Sequence, residues 1–164
     1  MKSLPVLVAC IAVVICLPLV GCSSEKQKTV EGTWELVTVK EKSPDTTIDY
    51  SRTGFRQIKI ITPSRFAFLN QKTGDEKFTG EGTDEQVLKR ARTFFAGGGT
   101  YTLEGDTYTE HIEFFLHPNF VGMSIPFKIK IEADRLIQTG TMPYKAAGLG
   151  DRDIDLYEEY RRIE

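Results

Sequence analysis

The sequence has few residues that could form cross-links or bind metals. Among its 164 residues there are three cysteines and two histidines. The cysteines are Cys10, Cys16 and Cys22, so the chain after residue 22 has no thiol available for a disulfide. Zinc sites need several converging ligands, and two histidines without cysteine are a poor source of them. We therefore predict a domain held together by packing and hydrogen bonds, with no metal and no other cofactor.

An excess of basic charge is also missing. The chain has 21 lysines and arginines against 23 acidic residues, a formal net charge of −2. Nucleic-acid-binding domains need a basic patch, so we expect no nucleic-acid partner. The usual catalytic motifs are absent as well. Ser64 and Ser124 have no Gly-x-Ser-x-Gly elbow around them, and Gly97–Gly99 is a poor phosphate-binding loop because it follows a predicted helix. A hydrolase or isomerase using Glu110 and a tyrosine is the least favoured hypothesis, and we predict no enzyme.

The amino-terminal segment has the layout of an export signal. Lys2 precedes an apolar run without charges from Leu4 to Val20, and small residues follow at its end. This run is near the lower length limit for a transmembrane helix, and Pro5 and Pro18 interrupt it. We therefore predict that residues 1–21 are a signal peptide.

The end of this segment, Leu19-Val20-Gly21-Cys22, resembles the lipobox of bacterial lipoproteins. The resemblance implies that Cys22 is lipidated and becomes the first residue of the mature protein. Two or more acyl chains hold a protein stably on a membrane, so we expect a tethered protein that does not span the bilayer. Ser23 stands where an aspartate would indicate inner-membrane retention, which favours the outer membrane, in either leaflet. Residues 22–30 are polar and are predicted to be a flexible tether.

Residues 31–164 are predicted to form one domain of short antiparallel strands. Two dipeptides, Gly105-Asp106 and Ala133-Asp134, lie between strand-like runs and indicate hairpins. About eight to ten strands at this spacing predict a meandering barrel or sandwich. The predicted strands are Trp34–Lys40, Phe55–Ile61, Arg65–Asn70, Tyr101–Glu104, Thr107–Phe115, Ile125–Glu132, Arg135–Gly140 and Leu156–Ile163.

One stretch has the period of an amphipathic helix. Thr83 and Gln86 form a capping box at its start, and Gly97 is the predicted stop. We expect this helix to pack against the sheet or to cap it. Further along, the polar segment Met142–Asp155 is predicted to be a mobile loop. The apolar face of the helix consists of Val87, Leu88, Ala91, Phe94 and Phe95.

The tripeptide Gly32-Thr33-Trp34 resembles the Gly-x-Trp signature of lipocalins and their relatives in the calycin group. In those barrels the tryptophan closes one end, and an arginine from the last strand lies across its ring; here the resemblance implies Trp34 and Arg162. A guanidinium over an indole gains cation–π attraction. The runs Ile58–Phe66 and Gly97–Glu110 also resemble a lipocalin-like family of bacterial envelope lipoproteins, and the likeness covers most of residues 31–164. The implied fold is an up-and-down β-barrel with one helix.

Alternation along Thr107–Phe115 predicts which side chains point into the barrel. Tyr108, Glu110, Ile112 and Phe114 share the more apolar face, which we assign to the interior. A buried carboxylate must pair or stay protonated, because burying a lone charge is costly. Glu110 therefore meets either a polar group of a ligand or a cation inside the barrel, or it pairs with an internal arginine, lysine or tyrosine.

Two functions remain open at this point. The first is a carrier for a small apolar or amphipathic molecule, such as a fatty acid like palmitate or another envelope lipid, with Tyr101, Tyr108, Glu110 and Arg65 as polar contacts. Arg65 has the opposite strand parity to the neighbouring phenylalanines and lies outside if they point inward. The alternative is a solid barrel without a small ligand, acting as an interaction module in an envelope assembly. A continuous interior cavity distinguishes the two.

Overall fold

The computed structural model describes residues 29–51, 54–74 and 77–164. The predicted signal peptide, Cys22 and residues 23–28 of the predicted tether lie outside the described residues. Val30, the last residue of the predicted tether, is buried against the core. In the part of the chain that is described, no helix is long and apolar enough to cross a membrane.

The described strands form one closed antiparallel barrel, as the sequence predicts. Strands follow one another around the sheet in chain order, apart from β2, and β1 pairs with β9 to close eight strands. The short β2 pairs only with the end of β1 and adds a flap outside the closed ring. The elements are β1 (Gly32–Ser43), β2 (Thr46–Asp49), β3 (Phe55–Ile61), β4 (Arg65–Lys72), α1 (Asp84–Ala91), β5 (Phe94–Glu104), β6 (Thr107–Phe115), a 3-10 turn (Pro118–Phe120), β7 (Ser124–Glu132), β8 (Arg135–Met142) and β9 (Ile154–Arg162).

Strict alternation of side chains fills the barrel. In β4, Phe66, Phe68 and Asn70 point inward, while the residues between them face solvent. In β3, Gln57 and Lys59 point inward together with Ile61. Because successive side chains of a strand point to opposite faces, a polar residue at an inward position is buried whatever its chemistry. The interior is therefore apolar with several polar exceptions.

A β-bulge corrects one predicted position in β6. Gly98 pairs with Phe114 and Gly99 with Ile112, so Glu113 is an extra residue on its strand. Such an insertion reverses the parity of everything beyond it. Phe114, predicted to be inside, is consequently 67% exposed on the outer wall, and Phe115 packs against the core instead.

The helix is shorter than predicted. Its capping box is present, with the Thr83 hydroxyl accepting from the Gln86 amide at 3.3 Å. However, α1 ends at Ala91, none of its side chains is buried, and the predicted packing of its apolar face on the sheet was wrong.

The predicted end of the helix, at Gly97, lies instead in strand β5 opposite Phe68. A Cβ atom on Gly97 would lie 2.6 Å from the ring of Phe68 and 2.8 Å from that of Phe115. Glycine is therefore required here by close packing in the sheet, which overrides the local helical pattern.

The predicted mobile loop before the last strand is packed against the barrel. Ala147 within it is buried, and its carbonyl accepts a hydrogen bond from the Asn119 side chain at 2.7 Å. The Tyr144 ring meets Phe120 edge to face, with ring centroids 5.7 Å apart. This loop and the 3-10 turn thus cover part of one end of the barrel.

The two ends of the barrel differ. At the closed end the Trp34 ring is fully buried, and its indole Nε1 donates to the Val30 carbonyl at 2.9 Å. The Arg162 guanidinium lies 4.0 Å from the centroid of that ring and donates to the carbonyls of Thr29 and Glu31. The structure thus brings Trp34 and Arg162 into contact. At the opposite end, called the mouth below, lie β2, α1, the 3-10 turn and the loop 143–153.

Candidate functional site

A cavity of about 390 Å³ extends from the middle of the barrel to the mouth. This volume falls within the roughly 300–1,000 Å³ that is usual for small-molecule sites. Apolar side chains from most of the strands make the walls. They are Leu36, Phe68, Phe95, Ile112, Phe115, Ile125, Phe127, Met142 and Leu156.

A buried ion pair lies at the inner end of this cavity. The Lys59 Nζ is 2.6 Å from the Glu110 Oε1, and the two side chains are 3% and 7% exposed. The same ammonium donates to the Gln138 Oε1 at 2.7 Å. Four aromatic rings surround the Nζ, with centroids 5.5–6.0 Å away, and they belong to Phe66, Tyr108, Phe127 and Tyr160. Glu110 is therefore paired with a lysine of the protein itself.

A second polar network lies beside the ion pair. The buried carboxyl of Glu158 receives hydrogen bonds from Tyr160 and Gln57. The Gln57 Nε2 donates to the Tyr160 hydroxyl at 2.8 Å, and the Asn70 Nδ2 donates to the Gln57 Oε1 at 2.9 Å. These side chains and the Lys59–Glu110–Gln138 group form the polar floor of the cavity.

Burial changes the acidity of this network. Loss of solvent raises the pKa of Glu158 above its ordinary value, although the nearby Lys59 charge partly opposes this. Burial, with the adjacent Glu158 as the next cause, holds the pKa of Tyr160 well above its usual range. The tyrosine therefore remains a hydroxyl donor and acceptor at any physiological pH.

Of the four residues predicted as ligand contacts, only Glu110 lines the cavity. Tyr108 is fully buried behind it and packs its ring near Lys59; its hydroxyl has no hydrogen-bond partner among the described residues. The Tyr101 hydroxyl donates to the Thr62 carbonyl at 2.9 Å, in an open groove at the closed end. Neither tyrosine therefore lines this cavity.

The prediction for Arg65 requires a correction. Its side chain is 57% exposed on the outer wall and pairs with Glu113 at 2.7 Å. The reason is strand parity: the adjacent Phe66 and Phe68 point inward, so Arg65 must point outward.

The polar floor contains five residues that the sequence reasoning missed, and a signal for them exists. Each shares strand parity with a large, buried apolar residue of its own strand, which places a polar side chain inside the barrel. Lys59, for example, alternates with Ile61, and Glu158 alternates with Tyr160. The missed residues are Gln57, Lys59, Asn70, Gln138 and Glu158.

Fold and site together define a closed lipocalin-like barrel with an open mouth, apolar walls and a charged floor. Comparison of the chain with models of known protein families, with curated proteins and with solved structures finds no match. Among the described residues, no group of three or more histidine, cysteine or acidic side chains is placed to hold a metal ion.

We expect Glu158→Gln to change the pH dependence of stability. An acid whose pKa is raised in the folded state binds more protons there than in the unfolded chain, so stability falls as pH rises from the unfolded pKa through the folded one. The amide variant lacks this fall, because the charge that burial opposes is gone. Urea unfolding at a series of pH values above about 4.5 checks this. Lys59 and Glu110 are the same in both proteins. Identical pH profiles would therefore contradict the assignment of Glu158 as a buried acid with a raised pKa.

Proposed function

We propose that this protein binds a small apolar or amphipathic molecule inside the barrel. The observation that carries the proposal is the cavity of about 390 Å³ with apolar walls and a polar floor. Small eight-stranded barrels either fill their interior with side chains or hold one small ligand. An unfilled interior of this size supports the second possibility, and the proposed function is therefore that of a carrier or receptor.

The composition of the cavity fits an amphipathic occupant. Apolar walls stabilise a bound hydrocarbon by roughly 0.8 kcal/mol for each buried methylene group. A few polar groups at one end then fix the orientation of the ligand, as in most small-molecule sites. Here those groups are on the floor, at the end away from the mouth, and a ligand would enter with its polar end first.

We expect Leu156→Trp to abolish binding. Leu156 lines the cavity from β9, and an indole in its place would occupy the volume that a ligand needs. Leu69→Trp is the matched control, because Leu69 lies on the outer wall and is 47% exposed. The measurement is mass spectrometry of small molecules extracted from each purified protein, followed by titration with a neutral apolar fluorescent probe. Equal binding by the two variants would place the ligand elsewhere.

We further propose that the chain is a lipoprotein of the bacterial envelope, related to the lipocalin-like family that its sequence resembles. The support is the lipobox-like sequence ending at Cys22. The seven residues from there to Thr29 span at most about 25 Å when fully extended. Thr29 lies at the closed end, where its carbonyl accepts from Arg162. A lipid on Cys22 would thus keep Thr29, and with it the closed end, within about 25 Å of the membrane.

Lipidation is tested by Cys22→Ala. We expect the unaltered chain to incorporate radiolabelled palmitate in cells and to fractionate with outer membranes, because several acyl chains give stable anchoring. The variant has no thiol at that position and should lose both properties. If the variant kept both the palmitate label and the outer-membrane fractionation, the proposed anchor would be rejected. If the unaltered chain were labelled but found only in the inner membrane, the proposed location would be rejected.

The outer wall supports a second candidate function, an interaction module in an envelope assembly. Ile60, Ala67, Gly98 and Phe114 are consecutive partners across β3 to β6 and form an apolar row on the outside. Ile60 is 41% exposed and Phe114 67%. Contiguous apolar patches of this kind usually mark contact surfaces. An extract without ligand, together with no probe binding, would favour this function over the carrier.

A further inference from the structure

The charged groups on the floor are poorly suited to an anionic ligand. Among the described residues, two carboxyl groups of the floor, those of Glu110 and Glu158, face a single ammonium, that of Lys59. This ammonium is already occupied, because it lies 2.6 Å from Glu110, donates to Gln138 and faces four aromatic rings. A carboxylate brought to this floor would meet excess negative charge without a free cation, and burying it unpaired is costly.

One acceptor on the floor has no partner. Asn70 is 7% exposed and lines the cavity, and its Oδ1 makes no hydrogen bond to any described residue. Its Nδ2 is used, since it donates to Gln57. A buried carbonyl oxygen that lacks a donor costs free energy, and a donor from a ligand would remove that cost.

The neighbouring network fixes the direction of this acceptor. A carboxylate at Glu158 can only accept, so the Tyr160 hydroxyl donates to it and accepts from the Gln57 Nε2 at 2.8 Å. The Gln57 Oε1 is then left to accept from the Asn70 Nδ2, which leaves the Asn70 Oδ1 without a donor among the described residues. Reversal of both amides would turn an oxygen of Gln57 towards the carboxylate. Glu158 thus determines the orientation of the Asn70 amide through Tyr160 and Gln57.

We propose that the cavity selects an apolar molecule whose head group is a hydrogen-bond donor, an alcohol or an amine, and that it discriminates against a carboxylate head. This inference rests on the proposed carrier function. The Asn70 Oδ1 accepts from the head group, Glu158 provides the negative field beside it, and the apolar walls hold the tail. Among the described residues, the other basic side chains of the lining, Arg92 and His117, lie at the mouth, away from the floor.

The test compares decanol, decylamine and decanoate, which share one tail, on the full chain kept soluble in amphipol at mildly alkaline pH. Binding is measured by displacement of the neutral probe N-phenyl-naphthylamine, with protein-free amphipol as the blank. We expect decanol and decylamine to bind roughly tenfold or more tightly than decanoate. Decanoate bound as tightly as decanol would overturn the inference and leave the carrier function standing. Binding of none of the three, nor of the probe, would overturn both.

A variant pair assigns the selectivity to Asn70. Asn70→Leu removes the acceptor, and we expect decanol to bind roughly three- to tenfold more weakly while decanoate is unchanged. The matched control is Gln71→Leu, which removes an amide from the outer face of the same strand and should change neither affinity. Thermal denaturation establishes that both variants are folded. Decanoate that binds well and is lost with Arg92→Gln would overturn the inference, because its head would then lie at the mouth.

Discussion

Replacing Lys59 by methionine lowers the free energy of unfolding by about 3–5 kcal/mol, because it leaves the Glu110 carboxylate buried without a partner. The ion pair has a separation of 2.6 Å and is almost fully enclosed. Urea unfolding, followed by the fluorescence of the single tryptophan, measures the loss. The exposed pair Arg65–Glu113, at 2.7 Å, is the control, and Arg65→Met should cost at most about 1 kcal/mol.

The double variant Lys59→Met/Glu110→Leu separates the stabilisation by the ion pair from the free-energy cost of burying its charges. Removing both partners of a buried ion pair is often neutral or stabilising, so we expect the double variant to recover most of the stability lost by Lys59→Met. A small loss in the single variant, of the same size as for Arg65→Met, would mean that the floor is solvated or that Glu110 is protonated. The gain from the second substitution distinguishes the two, since a neutral carboxyl leaves little to recover.

If apolar side chains at Lys59 and Glu110 stabilise the barrel equally well, then stability does not explain why the floor is charged. The Lys59 charge also lowers the pKa of Glu158 against the effect of burial, and so favours the carboxylate that accepts from Tyr160 and Gln57. Through those two side chains the network fixes the orientation of the Asn70 amide and leaves its oxygen without a donor among the described residues. The ion pair is therefore connected to the hydrogen-bonded network that we propose to select donor head groups.

The barrel itself was predictable from the sequence because strand alternation and hairpin signals act locally. The dipeptides Gly105-Asp106 and Ala133-Asp134 lie at the turns between β5 and β6 and between β7 and β8, where the sequence puts them. The prediction was wrong where contacts between residues distant in the sequence determine the local structure. The stretch from Phe94 to Gly97 has a helical apolar pattern but is held in β5 by pairing with β4. The bulge at Glu113 cannot be read from β6 alone, since it depends on register with β5.

The site was only partly predictable, for a related reason. Parity along β6 identified Glu110 as an inward carboxylate, which the structure shows to be buried. Its partner Lys59 comes from β3, and no pattern within either strand reports that their side chains meet across the barrel. The same holds for Asn70, Gln57 and Glu158, which come from three strands. Local parity can place a residue inside, but closure of the sheet determines which inward residues touch.

Replacing Trp34 by alanine removes the largest side chain of the closed end, and we expect it to lower the free energy of unfolding by about 3–5 kcal/mol. The ring is fully buried between the barrel floor and Arg162, whose guanidinium lies 4.0 Å from the ring centroid. Gly32 makes this contact possible, because a Cβ there would overlap the Arg162 Nη1. Circular dichroism during urea unfolding is the measurement, since the variant lacks the fluorescent residue.

A double-mutant cycle shows whether tryptophan and arginine act together at this end. Trp34→Phe keeps an aromatic face for Arg162 but loses the donor to the Val30 carbonyl, so its loss should be smaller, about 1–2 kcal/mol. Arg162→Ala in the wild-type background loses the cation–π contact and two hydrogen bonds, while in Trp34→Ala only the hydrogen bonds remain to lose. The coupling energy should be about 0.5–2 kcal/mol. Additive losses would mean that the guanidinium stabilises the protein only through its hydrogen bonds to the carbonyls of Thr29 and Glu31. The indole would then close the barrel only by filling space.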